Sequence, residues 1–113
     1  RRAKSDSWLS KNMPKIEWKM HWPPAEIPPN HPIVKTLCHS HENTTGMKAQ
    51  IHGFPAVCDA AWLNKLNIPS VVYGPGNLML AHGIDEYVET NDLILSSKAI
   101  SSTILNWCGY ENI

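Results

Sequence analysis

The residues best suited to chemistry lie close together: Gly74-Pro75-Gly76, His82, and the adjacent carboxylates Asp85 and Glu86. A neutral imidazole on a loop is a natural ligand for zinc. A carboxylate at Asp85 or Glu86 could hold the other ring nitrogen and fix its tautomer. The Gly74-Pro75-Gly76 backbone could turn its N–H groups toward an anionic substrate group. On residues alone each has a plainer reading. A lone histidine is more often structural, one ligand does not make a metal site, and the glycine pair also suits a tight turn. It is not a P-loop, because no Lys-Ser/Thr follows and no helix starts directly after it. Asp59 is either a site carboxylate at a strand end or a helix N-cap. His39-Ser40-His41 looks like a metal pair, yet it falls where a helix is expected to end. There two histidines complement the dipole and meet solvent. His21, His31 and His52 have no partners in sequence.

The elements that must position these residues follow from periodicity. Ile68 to Tyr73 is an apolar, β-branched run, expected as a buried strand that aims the loop after it. Thr90-Asn91-Asp92 starts a helix, with Thr90 able to cap and Asp92 complementing the dipole. Leu93, Ile100, Ile104 and Trp107 recur on one face of it, and Gly109 stops it. An earlier helix is expected over His31 to His41, with Asn30 as N-cap, Pro32 in the first turn and Ile33, Val34, Leu37 and Cys38 as its stripe. A weak strand covers Lys48 to Val57. Cys58-Asp59 opens a short helix with Ala60, Trp62, Leu63 and Leu66 inward and Asn67 ending it. Residues 1–12 read as the end of a helix carrying Trp8 and Leu9. Lys15 to Trp22 alternates, with Ile16, Trp18, Met20 and Trp22 on one face of a half-buried strand. Pro23, Pro24, Pro28 and Pro29 then mark a domain boundary. After it the order helix, strand, helix, strand, helix predicts α/β layers with a parallel sheet.

Composition narrows the classes. At 113 residues, 42% hydrophobic and 18% charged, there is room for one globular domain at most. The formal net charge of +0 leaves no broad footprint for nucleic acid. No apolar run approaches the ~20 residues that span a bilayer, and no secretory leader is recognisable. The 3 cysteines, Cys38, Cys58 and Cys108, form no C-x-x-C pair and fit a reducing, cytoplasmic setting as small buried hydrophobes. The 5 tryptophans sit on inferred apolar faces and are expected in the core rather than as a stacking platform for bases. The opening Arg1-Arg2-Ala3 has no initiator Met, which reads as a piece of a longer polypeptide.

Three blocks carry a resemblance: Gly53-Phe54-Pro55-Ala56-Val57-Cys58-Asp59-Ala60, then Ile68 through Gly76, then Ala81-His82-Gly83-Ile84-Asp85-Glu86-Tyr87-Val88. In order and spacing they are similar to the C-terminal part of the acetylornithine deacetylase / succinyl-diaminopimelate desuccinylase / aminoacylase / carboxypeptidase G2 group of zinc amidohydrolases and peptidases. G-P-G followed by A-H-x-x-D-E-Y-V is the compound pattern. The end Asn106-Trp107-Cys108 fits as well. Asp6-Ser7-Trp8-Leu9 and Ile16-Glu17-Trp18 resemble the end of that group's inserted lid. The proline joint and His31-Pro32-Ile33-Val34 resemble the re-entry into its catalytic domain.

The resemblance implies an α/β fold. Residues 28–113 would form the C-terminal part of a three-layer αβα zinc-peptidase-like catalytic domain. Residues 1–27 would be the last helix and strand of an inserted α+β lid and dimerisation domain. It also implies a site with two divalent ions, zinc with cobalt or manganese as alternatives, and His82 as the last ligand on one of them. Asp85 or Glu86 would orient His82, Gly74, Pro75 and Gly76 would line the substrate pocket, and Asp59 would lie nearby. The other ligands and the glutamate general base have no counterpart here, since neither an H-x-D block nor a Glu-Glu pair occurs. The expected activity of the intact parent is metal-assisted hydrolysis of an N-acyl amino acid or similar amide, in a homodimer joined through the lid, with neither nucleic acid nor membrane as partner. The alternative is a non-catalytic binding or assembly module built on the same scaffold. A third reading is a small phosphate-binding domain using the Gly74–Gly76 loop.

Overall fold

The computed structural model describes residues 2–111. Arg1, the first residue of the expected opening helix, and the last two positions of the expected 28–113 unit lie outside the described residues. Regular structure among the described residues comprises α1 (Arg2–Ser5), α2 (Pro32–Thr45), α3 (Ala60–Lys65), a 3-10 turn (Leu78–Leu80) and α4 (Thr90–Cys108).

Helix α1 is shorter than expected, and Asp6 is the reason. Its carboxylate accepts the N–H groups of Trp8 at 2.9 Å and Leu9 at 2.7 Å, drawing the chain into an Asx turn instead of another helical turn. Helix α2 starts one residue later than a cap at Asn30 would place it. Pro32 forces its predecessor out of the helical region, so His31 adopts φ −60, ψ 140 and becomes the N-cap. The His31 Nδ1 accepts from the Ile33 N–H at 3.2 Å. Gly46, at φ 71, closes the helix by donating its N–H to the Glu42 carbonyl. In α4 the N-cap is Glu89, and Thr90 is the first helical residue rather than the cap. Gly109 ends α4 as expected, donating to the Leu105 carbonyl at 2.9 Å.

Helices α2 and α4 pack against each other, and this contact is the core. The seam is built from small residues. Val34, Ser40, Ser96 and Ala99 are buried, and Ala99 is 0% exposed. Ser40 Oγ accepts from Ser102 Oγ and from Asn106 Nδ2, each at 3.3 Å. The face expected to turn inward does not: Leu93, Ile100, Ile104 and Trp107 are all exposed, Ile104 by 55%. Small side chains let two helices approach closely, so the row Ser96, Ala99, Thr103, Asn106 faces α2 and the larger apolar row points aside.

The expected strands at 15–22, 48–57 and 68–73 are irregular, and no β-ladder occurs among the described residues. A strand exists only through backbone pairing with another strand. The alternation over 15–22 survives as pattern, but nothing pairs with it, and Trp18 is 86% exposed. Trp22 is the one member of that row to find a seat. Its Nε1 donates to the Cys58 carbonyl at 3.1 Å, and its ring meets Trp62 edge to face with centroids 5.7 Å apart. Asn64 Nδ2 donates to the Glu26 carbonyl at 2.9 Å, fastening the proline-rich joint to α3. In α3 it is Ala61 that is buried, while Trp62, Leu63 and Leu66 are exposed. Trp8, Trp18 and Trp107 are exposed as well, so the tryptophans are not a common core. Cys108 is exposed, and Cys38 and Cys58 are half-buried.

Candidate functional site

The candidate site follows the irregular segment 68–73. Tyr73 is half-buried, and its hydroxyl lies 3.0 Å from His41 Nδ1 on α2. Burial pushes the Tyr73 phenol above its ordinary value of 10.0, so the hydroxyl keeps its proton. It donates to the imidazole whenever Nδ1 is unprotonated.

Gly74-Pro75-Gly76 follows directly. Gly76 has φ 88, and a Cβ there would lie 3.3 Å from Val88 Cγ2, so only glycine suits both the backbone angle and the close approach. Asn77 then caps the 3-10 turn, its side-chain oxygen accepting from the Met79 N–H at 2.9 Å. The turn delivers His82, whose backbone is left-handed at φ 63. Glu86 Oε2 accepts the His82 backbone N–H at 2.9 Å. The carboxylate thus holds the main chain of His82 and not its ring. The His82 side chain is exposed, and Asp85 is exposed beside it.

An open concavity of about 450 Å³ lies along this stretch. Gly74, Pro75, Gly76, Glu86 and Val88 line it together with Tyr73. The structure therefore brings the glycine loop and Glu86 to one hollow, with His82 bonded to its rim. It does not bring Asp59 there. Asp59 stands at the N-cap position of α3 without a side-chain capping bond, and it is exposed.

As a metal centre the described residues are incomplete. No group of three or more His, Cys, Asp or Glu is placed to share an ion among them.

Sequence reasoning missed His41. Reading it with His39 as part of a helix end hid its register, because it falls seven residues after buried Val34 and so shares that face. His39 does face outward, bonded through Nε2 to Asn43 Nδ2 at 2.9 Å.

Residues 13–106 match peptidase family M20/M25/M40. The chain is 34% identical over 117 aligned positions to N-formyl-4-amino-5-aminomethyl-2-methylpyrimidine deformylase of Bacillus subtilis, covering 96% of the chain and 28% of the relative. It is 28% identical over 115 positions to the deformylase of the same name from Halalkalibacterium halodurans, covering 94% of the chain and 27% of the relative. The chain thus spans little more than a quarter of the length of these relatives. No solved structure matches it significantly.

Proposed function

The chain belongs to peptidase family M20/M25/M40, and on that footing we propose that it forms the C-terminal part of a metal-dependent amidohydrolase. The observation that carries this reading is the family match over residues 13–106, which contains every residue of the candidate site. Both relatives named above are deformylases. That supports a short N-acyl amide, such as an N-formyl group on an amine carried by a pyrimidine, as substrate, ahead of an acetylornithine-like one.

In this proposal His82 is one ligand of a zinc site, with cobalt or manganese as alternatives, and a second ion is held nearby by donors on other polypeptide. When bound, such ions activate water and polarise the scissile carbonyl. The residues of this chain do the rest of what it contributes. Glu86 pins the His82 main chain and so fixes where the imidazole starts. Gly74 and Gly76 offer backbone N–H groups to the acyl or carboxylate oxygens of the substrate. The concavity beside them seats the amide. The general base lies on polypeptide other than these residues.

The α/β architecture belongs to the same proposal. Segments 48–57 and 68–73 would join a sheet completed by further polypeptide, with α2 and α4 as one of its covering layers. Residues 1–27 would end a lid that joins a homodimer, and Asp59 would approach the site only in that assembly. A cytoplasmic location and the absence of nucleic-acid or membrane partners remain part of it. A non-catalytic module is the second reading, favoured by the single candidate ligand among the described residues.

The test is hydrolysis of an N-formyl aminopyrimidine and of N-acetyl amino acids with zinc, manganese or cobalt. It is run on this chain alone and on a polypeptide extended to the relatives' length. The chain alone is expected to show no enzyme-like turnover. The extended protein is expected to turn over, and His82→Ala to lose at least about 100-fold together with bound metal. Undiminished turnover and metal content in His82→Ala would remove His82 from the site. No turnover with any metal would favour the module.

A further inference from the structure

The bond between His41 and Tyr73 joins two elements 32 residues apart. Their rings also meet edge to face, with centroids 5.8 Å apart and planes at 79°. On one side stands α2, seated on α4 through buried Ser40. On the other lies segment 68–73, which has no ladder and leaves Ile68 and Val72 about half exposed. Among the described residues this is the one long-range hydrogen bond the segment makes. Tyr73 is covalently joined to Gly74, so whatever fixes its ring fixes where the glycine loop begins.

The constraint passes onward through the loop. Gly76 runs so close to Val88 that an added Cβ would sit 3.3 Å from Cγ2. Val88 lies two positions beyond Glu86, and Glu86 holds the His82 N–H at 2.9 Å. We propose that His41 is a positioning residue: by holding Tyr73 it sets the Gly74–Gly76 loop against α2, and through Val88 and Glu86 it sets His82. The proposal rests on the hydrolase reading only for what the loop binds. The mechanical coupling stands on the geometry. An Asn at position 41 places its Oδ1 where Nδ1 stands and can accept in its place, and a Leu carries no acceptor.

Amide exchange at His82, whose N–H is held by Glu86, and backbone order parameters at Gly74 and Gly76, both followed by NMR, test it in the protein and in Tyr73→Phe, His41→Leu, His41→Asn and the Tyr73→Phe/His41→Leu double variant. Tyr73→Phe keeps the ring and removes only the hydroxyl, so it decides the matter even if His41→Leu fails to fold. Tyr73→Phe and His41→Leu are each expected to lower the order parameters of Gly74 and Gly76 and to speed exchange at His82 roughly threefold to tenfold, the worth of one hydrogen bond. Ala99 in the helical seam should not change, the double variant should add nothing to either single change, and His41→Asn should restore the original values. Unchanged Gly74 and Gly76 order parameters in Tyr73→Phe, additive effects in the double variant, or a His41→Asn no better than His41→Leu would overturn the proposal. Amide hydrolysis is assayed in parallel in the extended protein. Coupling without hydrolysis sinks the functional reading alone, and hydrolysis with uncoupled amides sinks the positioning role alone.

Discussion

His82 and Gly76 both occupy left-handed backbone, at φ 63 and φ 88, and only one of them is glycine. For a non-glycine residue that region costs about 1–2 kcal/mol, and at His82 the Glu86 carboxylate taking its N–H is what offsets it. Such strain gathers where a side chain must be aimed. The two glycines of the loop make a matched pair for testing this. Gly76 combines positive φ with the Val88 contact, whereas a Cβ on Gly74 would meet nothing within 4 Å. Gly76→Ala should destabilise the loop by about 1–2 kcal/mol, read as faster exchange of the loop amides, and Gly74→Ala should leave it nearly unchanged. Equal effects would mean the turn does not depend on this angle. The residue types of the site were legible in the sequence: a histidine, a carboxylate and a glycine pair at close spacing. Which atom the carboxylate would hold was not. A glutamate four residues on can reach ring or main chain, and the turn between them decides.

Among the elements, α2 and α4 were legible as helices; the stripe Ile33, Val34, Leu37 and Cys38 gave the facing of α2, and the facing of α4 was not legible. Pro32, Gly46 and Gly109 act on backbone angles within a residue or two, so the helix ends could be read to within a few positions. The seam uses Ser40, Ser96 and Asn106, residues that hydropathy assigns to the outside, around the small apolar Ala99. A comparison within α4 checks that the seam is the core. Ala99→Leu, at a site 0% exposed, should cost about 1–3 kcal/mol through overpacking. Ser97→Leu, on the exposed side, should stay within about 0.5 kcal/mol. Denaturant midpoints of the two variants give the answer, and equal shifts would show that α2 and α4 do not pack through this row.

At the scale of the molecule the chain is long and open. It measures 73 × 36 × 23 Å with a radius of gyration of 20.2 Å, against about 13 Å for a compact chain of this length. Its accessible surface is 9887 Å², where a folded monomer of this mass exposes roughly 6,200 Å². Trp18, Met20, Ile104 and Trp107 are part of that excess. The proposed sheet would cover the apolar row of α4, and this gives a prediction with two arms. In this chain alone Ile104→Ser should change stability by no more than about 0.5 kcal/mol. In a polypeptide extended to the relatives' length it should cost about 1.5–3 kcal/mol, the value of burying one such side chain. The same shift in both would mean that nothing covers this face.

By itself the sequence determined where the helices end, where the turns fall and which residues carry chemistry. Those features follow from covalent restriction and near-neighbour hydrogen bonds, and both act within a few positions. Tertiary structure alone decided that a row of small residues forms the helical seam and that His41 reaches Tyr73 from 32 residues away. It also left the alternating runs unpaired among the described residues. Facing and pairing are settled between segments distant in sequence, and a strand pattern becomes a strand only when a second backbone arrives to accept its hydrogen bonds.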